Sequence, residues 1–148
     1  MGHMIRAVIA KESIICGIAE KWKNAEKHSL PQGYALTLLS DDLFDEIEGS
    51  FDEKGGDRYP QFRFLSCAVE GFLKRESEGA ELIYIETDYF GGKGTQSGVI
   101  FADGEMITEP KQGEGTINSL LRKIGVRRDW GKDEFDSVEL FRFRRMDM

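Results

Sequence analysis

Cysteine, histidine and proline are all scarce in this 148-residue chain, with two, two and three of each. Cys16 and Cys67, which have no histidine partner nearby, make neither a zinc-binding spacing nor a disulfide framework. Each falls within an apolar helical pattern, which predicts a buried thiol and not a reactive thiolate. His3 and His28 leave little material for histidine-based catalysis. Long apolar runs are also missing: no stretch approaches the ~20 residues a bilayer-spanning helix needs. The segment after Met4 lacks the basic start and apolar core of a signal peptide. These absences predict a cytoplasmic protein with no membrane partner, no cofactor and no metal. Met1-Gly2-His3 reads as a cloning remnant (residues 1–3), which leaves 4–148 as the domain proper.

What the chain does have is enough apolar material for a core. An apolar fraction of 40% with ten Phe excludes disorder, and the length suits one domain that needs no staples. The net charge of −7 is concentrated in one place. Between Asp41 and Asp57 the sequence "DDLFDEIEGSFDEKGGD" holds eight carboxylates against one lysine, which accounts for the whole excess. Such a surface repels phosphate backbones, so nucleic acid is excluded as a partner. The basic residues Arg122, Lys123, Arg127, Arg128, Arg142, Arg144 and Arg145 are diluted by five acids between Asp129 and Glu139. The acidic run is either a solvated helix and loop or a docking surface for a basic protein, with Asp41, Asp42, Asp45 and Glu46 as candidate contacts.

Periodicity predicts strands at Arg6 to Ala10, "YALTLLS", "ELIYIETDYF", "SGVIFAD" and "DSVELFRFRR". It predicts helices over "KESIICGIAEKWKNAEKH", from Ser40 or Asp41 to Gly49, from Pro60 onward, and from a Thr116 cap to Gly125. Asp103-Gly104 is a hairpin signal that leads into "EMITE", so that "ELIYIETDYF", "SGVIFAD" and "EMITE" should pair antiparallel. The expected architecture is a single α+β domain, with a mostly antiparallel or mixed sheet of about five strands and three to four helices.

The stretch "ETDYFGGKGTQSGVIF" poses the sharpest functional question, because three glycines and a lysine follow an apolar strand. The order Gly92-Lys93-Gly94-Thr95 is not a Walker A loop. Gly92, Gly94 and Gly98 make G-x-G-x-x-x-G, one residue too long for a dinucleotide fingerprint, and no helix follows. A glycine-rich connection between antiparallel strands accounts for most of the pattern, with Gly98 marking a bulge or a close approach. Glu86 and Asp88, two apart on one strand, share a face. With Gly92, Lys93, Gly94 and Gln96 they form the candidate ligand site. The opposing expectation is that both carboxylates point to solvent. Trp22 reads as core and Trp130 as a loop anchor.

Three stretches, "YIETDYFGGKGTQSGVIF", "INSLLRKIGV" and "DEFDSVELFRF", together resemble a set of small uncharacterised bacterial proteins. In that set a Tyr-Phe-Gly-Gly-x-Gly-x-Gln stretch, an Ile-Asn-x-x-Leu helix and a Glu-Phe-Asp segment recur in order. The resemblance covers Leu82 to Phe143 and brings no established activity, so no catalytic residue is assigned from it. Two functions are consistent with the sequence. One is a non-enzymatic interaction domain, inhibitor- or immunity-like, with a basic partner. The other is a small-molecule or phosphate-binding protein, or an enzyme, built on the Gly91–Gln96 loop.

Overall fold

The computed structural model describes residues 3–51, 59–90, 93–143 and 146, with the side chains of Phe90 and Lys93 outside that description. The element order is β1 (Arg6–Lys11), α1 (Glu12–Lys21), β2 (His28–Ser29), a 3-10 turn (Pro31–Gly33), β3 (Tyr34–Leu38), α2 (Asp41–Ser50), α3 (Cys67–Glu76), β4 (Glu81–Phe90) and β5 (Lys93–Ala102). Then follow β6 (Glu105–Met106), β7 (Lys111–Gln112), α4 (Thr116–Lys123), α5 (Glu134–Ser137) and a second 3-10 turn (Leu140–Arg142). The seven strands among the described residues form one antiparallel sheet in the order β2-β3-β1-β4-β5-β6, with β7 also pairing to β5. The α+β class expected from the sequence is what the chain adopts; the described residues hold seven strands, three of them only two residues long, against about five expected, and five helices against three to four. No helix among the described residues is long and apolar enough to cross a membrane.

Helices cover both faces of the sheet. Val8, Ala10, Leu82, Tyr84, Val99 and Phe101 look to one face, where they pack with Ile15, Ile18, Leu43, Ile47, Phe72 and Leu73 of α1, α2 and α3. Ala7, Ile9, Leu36, Ile83, Ile85 and Ile100 look to the other, against Ile117, Leu120 and Leu121 of α4 and the segment carrying Val138 and Leu140. Double coverage explains why β1 and the first half of β4 are near-continuous apolar runs, since a strand with only one buried face would alternate.

Local chemistry places several boundaries as expected. Ser40 Oγ accepts from Leu43 N at 3.1 Å and caps α2. Asp103 and Gly104 both take positive φ, +52° and +82°, as the tight hairpin turn between β5 and β6 requires.

Other expectations are corrected. The first helix stops at Lys21, because Trp22 is extended. There its indole Nε1 donates to Glu76 Oε2 on α3 at 3.2 Å, so tertiary packing ends the helix before its periodicity does. Pro60 opens no helix: α3 begins only at Cys67, behind a Ser66 cap that accepts from Val69 N. Gly115, not Thr116, is the N-cap of α4. The segment expected as a final strand forms α5 and a 3-10 turn, because β6 and β7 already occupy the outer edge of β5. Cys16 and Cys67 are half-buried, not buried. Trp130 is fully exposed and anchors nothing.

The glycines separate into replaceable and irreplaceable ones. Gly94 has φ +152°, and a Cβ there would overlap the Asp88 carbonyl oxygen. At Gly98 it would meet the tip of Leu120 first, the close approach expected of the return strand. Gly17, within α1, has no heavy atom near its Cβ position. Gly94→Ala is expected to lower unfolding stability by about 2–4 kcal/mol, whereas Gly17→Ala raises it by about 0.5–1 kcal/mol. Urea unfolding of the two variants checks both signs.

Candidate functional site

Because both faces of the sheet are covered, polar side chains leave the core only where the strands outrun the helices. At the end of β1 and β4, on the face shared with α2 and α3, Arg6 pairs in register with Glu86. Period-two alternation adds Asp88, Thr95 and Ser97 from β4 and β5 to the same face. The segment before α3 crosses this end and leaves an open cleft of about 600 Å³, lined by Arg6, Gln61, Arg63, Phe64, Glu86 and Asp88 among others.

Glu86 does not point idly into solvent. Its Oε1 accepts from Arg63 N at 2.7 Å, and its Oε2 accepts from Phe64 N at 2.9 Å and from the Tyr84 hydroxyl at 2.6 Å. One carboxylate thereby fastens the 59–66 segment to the sheet. Both of its oxygens are engaged by fixed donors. Burial, and then the charge and hydrogen bond of Glu86, hold the Tyr84 hydroxyl well above its ordinary value of 10.0, so it is a donor at all physiological pH.

Arg6 is the buried cation of the site, 8% exposed. It reaches Asp41 Oδ1 at 2.5 Å and lies over the Phe64 ring, 3.8 Å from its centroid. Its Nε and the Oε1 of Gln61 are buried without a hydrogen-bond partner among the described residues. On the rim, Arg63 faces Asp88 at 3.6 Å, both well exposed.

The candidate ligand residues therefore separate. Glu86, Asp88 and Gly94 line the cleft. Gln96 lies on the opposite face, in register with Thr87. Gly92 and the side chain of Lys93 lie outside the described residues, as does Gly91. Gly94 belongs to β5 and not to a loop. On its own face Gln96 serves α4: its Oε1 accepts from Ile117 N at 2.7 Å and its Nε2 donates to the Tyr89 hydroxyl at 2.9 Å. The Gly115 cap of α4 has no side chain, so a strand residue satisfies the orphan amide of the helix's first turn. Asn118 continues the network, donating to Asp133 Oδ2 at 3.1 Å and accepting from Phe135 N at 2.8 Å. Glu134 is buried and takes Arg122 Nε at 3.0 Å. Burial pushes its carboxyl up, but the hydrogen bonds from Arg122 and the backbone and the charges of Arg122 and Arg128 outweigh this and hold it below its ordinary value of 4.5. Tyr89, Gln96, Ile117, Asn118 and Phe135 are thus linked by hydrogen bonds behind the sheet, on the face opposite the cleft.

The acidic candidates also divide. Asp42 and Asp45 lie on α2 with Asp41, which is exposed but tied to Arg6. Glu46 accepts from Lys23 N at 3.0 Å and from Asn24 N at 2.9 Å, closing the turn after α1. Asp52, Glu53 and Asp57 of the acidic run lie outside the described residues. Sequence reasoning missed Arg6, Gln61, Arg63 and Phe64. An arginine opening an otherwise apolar strand was the available signal for Arg6. His3, assigned to the cloning remnant, joins the strand ladder opposite Tyr89, with its Nδ1 2.8 Å from Thr87 Oγ1.

No protein-family model, curated protein or solved structure matches this chain.

The Tyr84–Glu86 pair sets an alkaline limit. A raised tyrosine pKa contributes stability that is fully present below 10.0 and is lost as pH rises toward the folded value. Wild type is expected to lose unfolding free energy steeply above pH 10, whereas Tyr84→Phe, less stable at neutral pH by about 1–3 kcal/mol, shows a shallower alkaline slope. Parallel slopes in denaturant titrations across that range would remove the assignment.

Proposed function

We propose that this chain is a non-enzymatic protein-interaction domain, inhibitor- or immunity-like, that captures a basic segment of another protein across the cleft and helix α2. The observation that carries this reading is the Arg6–Asp41 pair. Through it Asp41, at the start of α2, is tied to Arg6 of the cleft wall; Asp42 and Asp45 follow as exposed carboxylates on the same helix, and Asp88 lines the cleft itself. A cationic chain entering here meets carboxylates along its path, while Phe64 and Met4 offer apolar contact below. Complementary charge of this kind steers encounter and selects partners. The engagement of Glu86 on both oxygens favours binding over acid–base chemistry at this place.

A lysine-rich synthetic peptide is expected to shift the backbone resonances of Asp42, Asp45, Arg63 and Asp88, and a glutamate-rich peptide of equal length is not. The double change Asp42→Lys, Asp45→Lys should weaken the lysine peptide about tenfold or more, equivalent to about 1.4 kcal/mol, and added salt should weaken it in wild type. Equal binding of both peptides, or indifference to the charge reversal, would sink the reading.

A second reading, a small-molecule site, rests on Arg6 Nε and Gln61 Oε1, a donor and an acceptor without partners in the cleft wall. Buried polar groups are costly until satisfied, and a compact amide or carboxylate would supply the missing bonds after a small shift of the wall. On this reading acetamide or acetate, titrated at millimolar levels, moves the Gln61 side-chain amide resonance in wild type and moves it less in Arg6→Lys. An unmoved resonance counts against it.

A further inference from the structure

The cleft at the sheet end carries both signs of charge in equal number. Arg6 and Arg63 line it together with Glu86 and Asp88. The fold has engaged these groups to different degrees. Both oxygens of Glu86 are taken by two backbone amides and the Tyr84 hydroxyl. Arg6, 8% exposed, is engaged only in part: a terminal nitrogen meets Asp41, while its Nε has no hydrogen-bond partner among the described residues. Gln61 Oε1 is likewise buried and unpartnered among them. Arg63 and Asp88 stand 3.6 Å apart with side chains 72% and 44% exposed, an open pair of the kind that water holds together weakly.

The groups left to an occupant are therefore two cationic donors, Arg6 Nε and Arg63, and two acceptors, Gln61 Oε1 and Asp88. Arg6 lies in register with Glu86, and Asp88 is two residues further along the same face. Arg6 and Asp88 are thus diagonal neighbours across the strand pair, about 7–8 Å apart. Side chains of their length can close that span on a carboxylate and an ammonium carried by one carbon. Charge-assisted hydrogen bonds of this type are the strong ones, and guanidinium groups suit carboxylates best. Met4, Phe64 and Met146 add an apolar wall, and the volume of about 600 Å³ falls within the range of about 300–1,000 Å³ typical of small-molecule sites. We propose that the cleft binds the zwitterion of a free α-amino acid with an apolar side chain, its carboxylate toward Arg6 and Arg63 and its ammonium toward Asp88 and Gln61. A ligand of one charge separates Arg63 from Asp88 and leaves one of them without a counter-charge; a zwitterion supplies both. The proposal rests on the small-molecule reading of the cleft, including the shift of the wall which that reading requires, and names its ligand class; it does not involve a basic partner.

Titrations of the full chain with three probes test it, followed by the Gln61 side-chain amide and the Asp88 backbone amide resonances. The probes are leucine, isocaproate, which lacks the ammonium, and isoamylamine, which lacks the carboxylate. Leucine should bind about tenfold or more tightly than either of the others. Asp88→Asn, a change at a rim side chain, should weaken leucine about tenfold and leave isocaproate as in wild type. Arg63→Gln should weaken leucine and isocaproate together. A half-ligand that binds as leucine does, or leucine binding indifferent to Asp88→Asn, overturns the zwitterion proposal while the small-molecule reading stands. A Gln61 resonance that none of the three probes moves overturns both.

Discussion

A sheet buried on both faces governs this molecule. With α1, α2 and α3 on one side and α4 and α5 on the other, the side chains of Ala7, Val8, Ile9 and Ala10 on β1 and of Leu82, Ile83, Tyr84 and Ile85 on β4 are buried, and polar groups collect where the strands project beyond the helices. Glu86 sits at that boundary. Burying part of a carboxylate requires donors, and the fold supplies two backbone amides and a tyrosine hydroxyl. The same bonds position the 59–66 segment, so the cleft exists because a strand-end carboxylate had to be satisfied. Arg6, one strand over, answers the same constraint differently. It keeps its stem in the core, lays its guanidinium on Phe64 and meets an acid at the helix start.

Much of the fold was legible in the sequence because its signals are local. The Ser40 cap, the Asp103-Gly104 turn, the apolar stripe of α4 and the three antiparallel strands from Glu81 to Met106 each follow from a few adjacent residues. The misread elements depend on partners distant in sequence. Pro60 is as good a helix opener as Ser66 is a cap. What separates them is that Glu86, more than twenty residues away, takes the amides of Arg63 and Phe64 in a non-helical conformation. The alternation in "DSVELFRFRR" suits a strand, yet Asp133 caps a turn by accepting from Asp136 N at 2.8 Å, and no sheet edge remains for it beside β5.

The candidate site shows the same division. Placing Glu86 and Asp88 on one face needed only the alternation within one strand. Grouping Gln96 with them needed the register across the β4–β5 turn, and a glycine-rich turn leaves that parity open. The register found, Thr87 opposite Gln96, turns the glutamine to the other face, where α4 lacks a capping side chain. There it bonds Ile117 N and the Tyr89 hydroxyl, and so ties β4 and β5 to the first turn of α4.

Charge composition was the least specific signal, and the fold shows why. Asp41 and Asp42 occupy the first turn of α2, where carboxylates are favoured by the helix dipole whatever else they do, and Glu46 closes a turn. An acidic count therefore includes charges that serve the fold itself. The Arg6–Asp41 pair joins the acidic helix to the cleft wall through a buried cation, so part of the acidic run holds the fold together, and the net charge of −7 is not a count of charges left for other work.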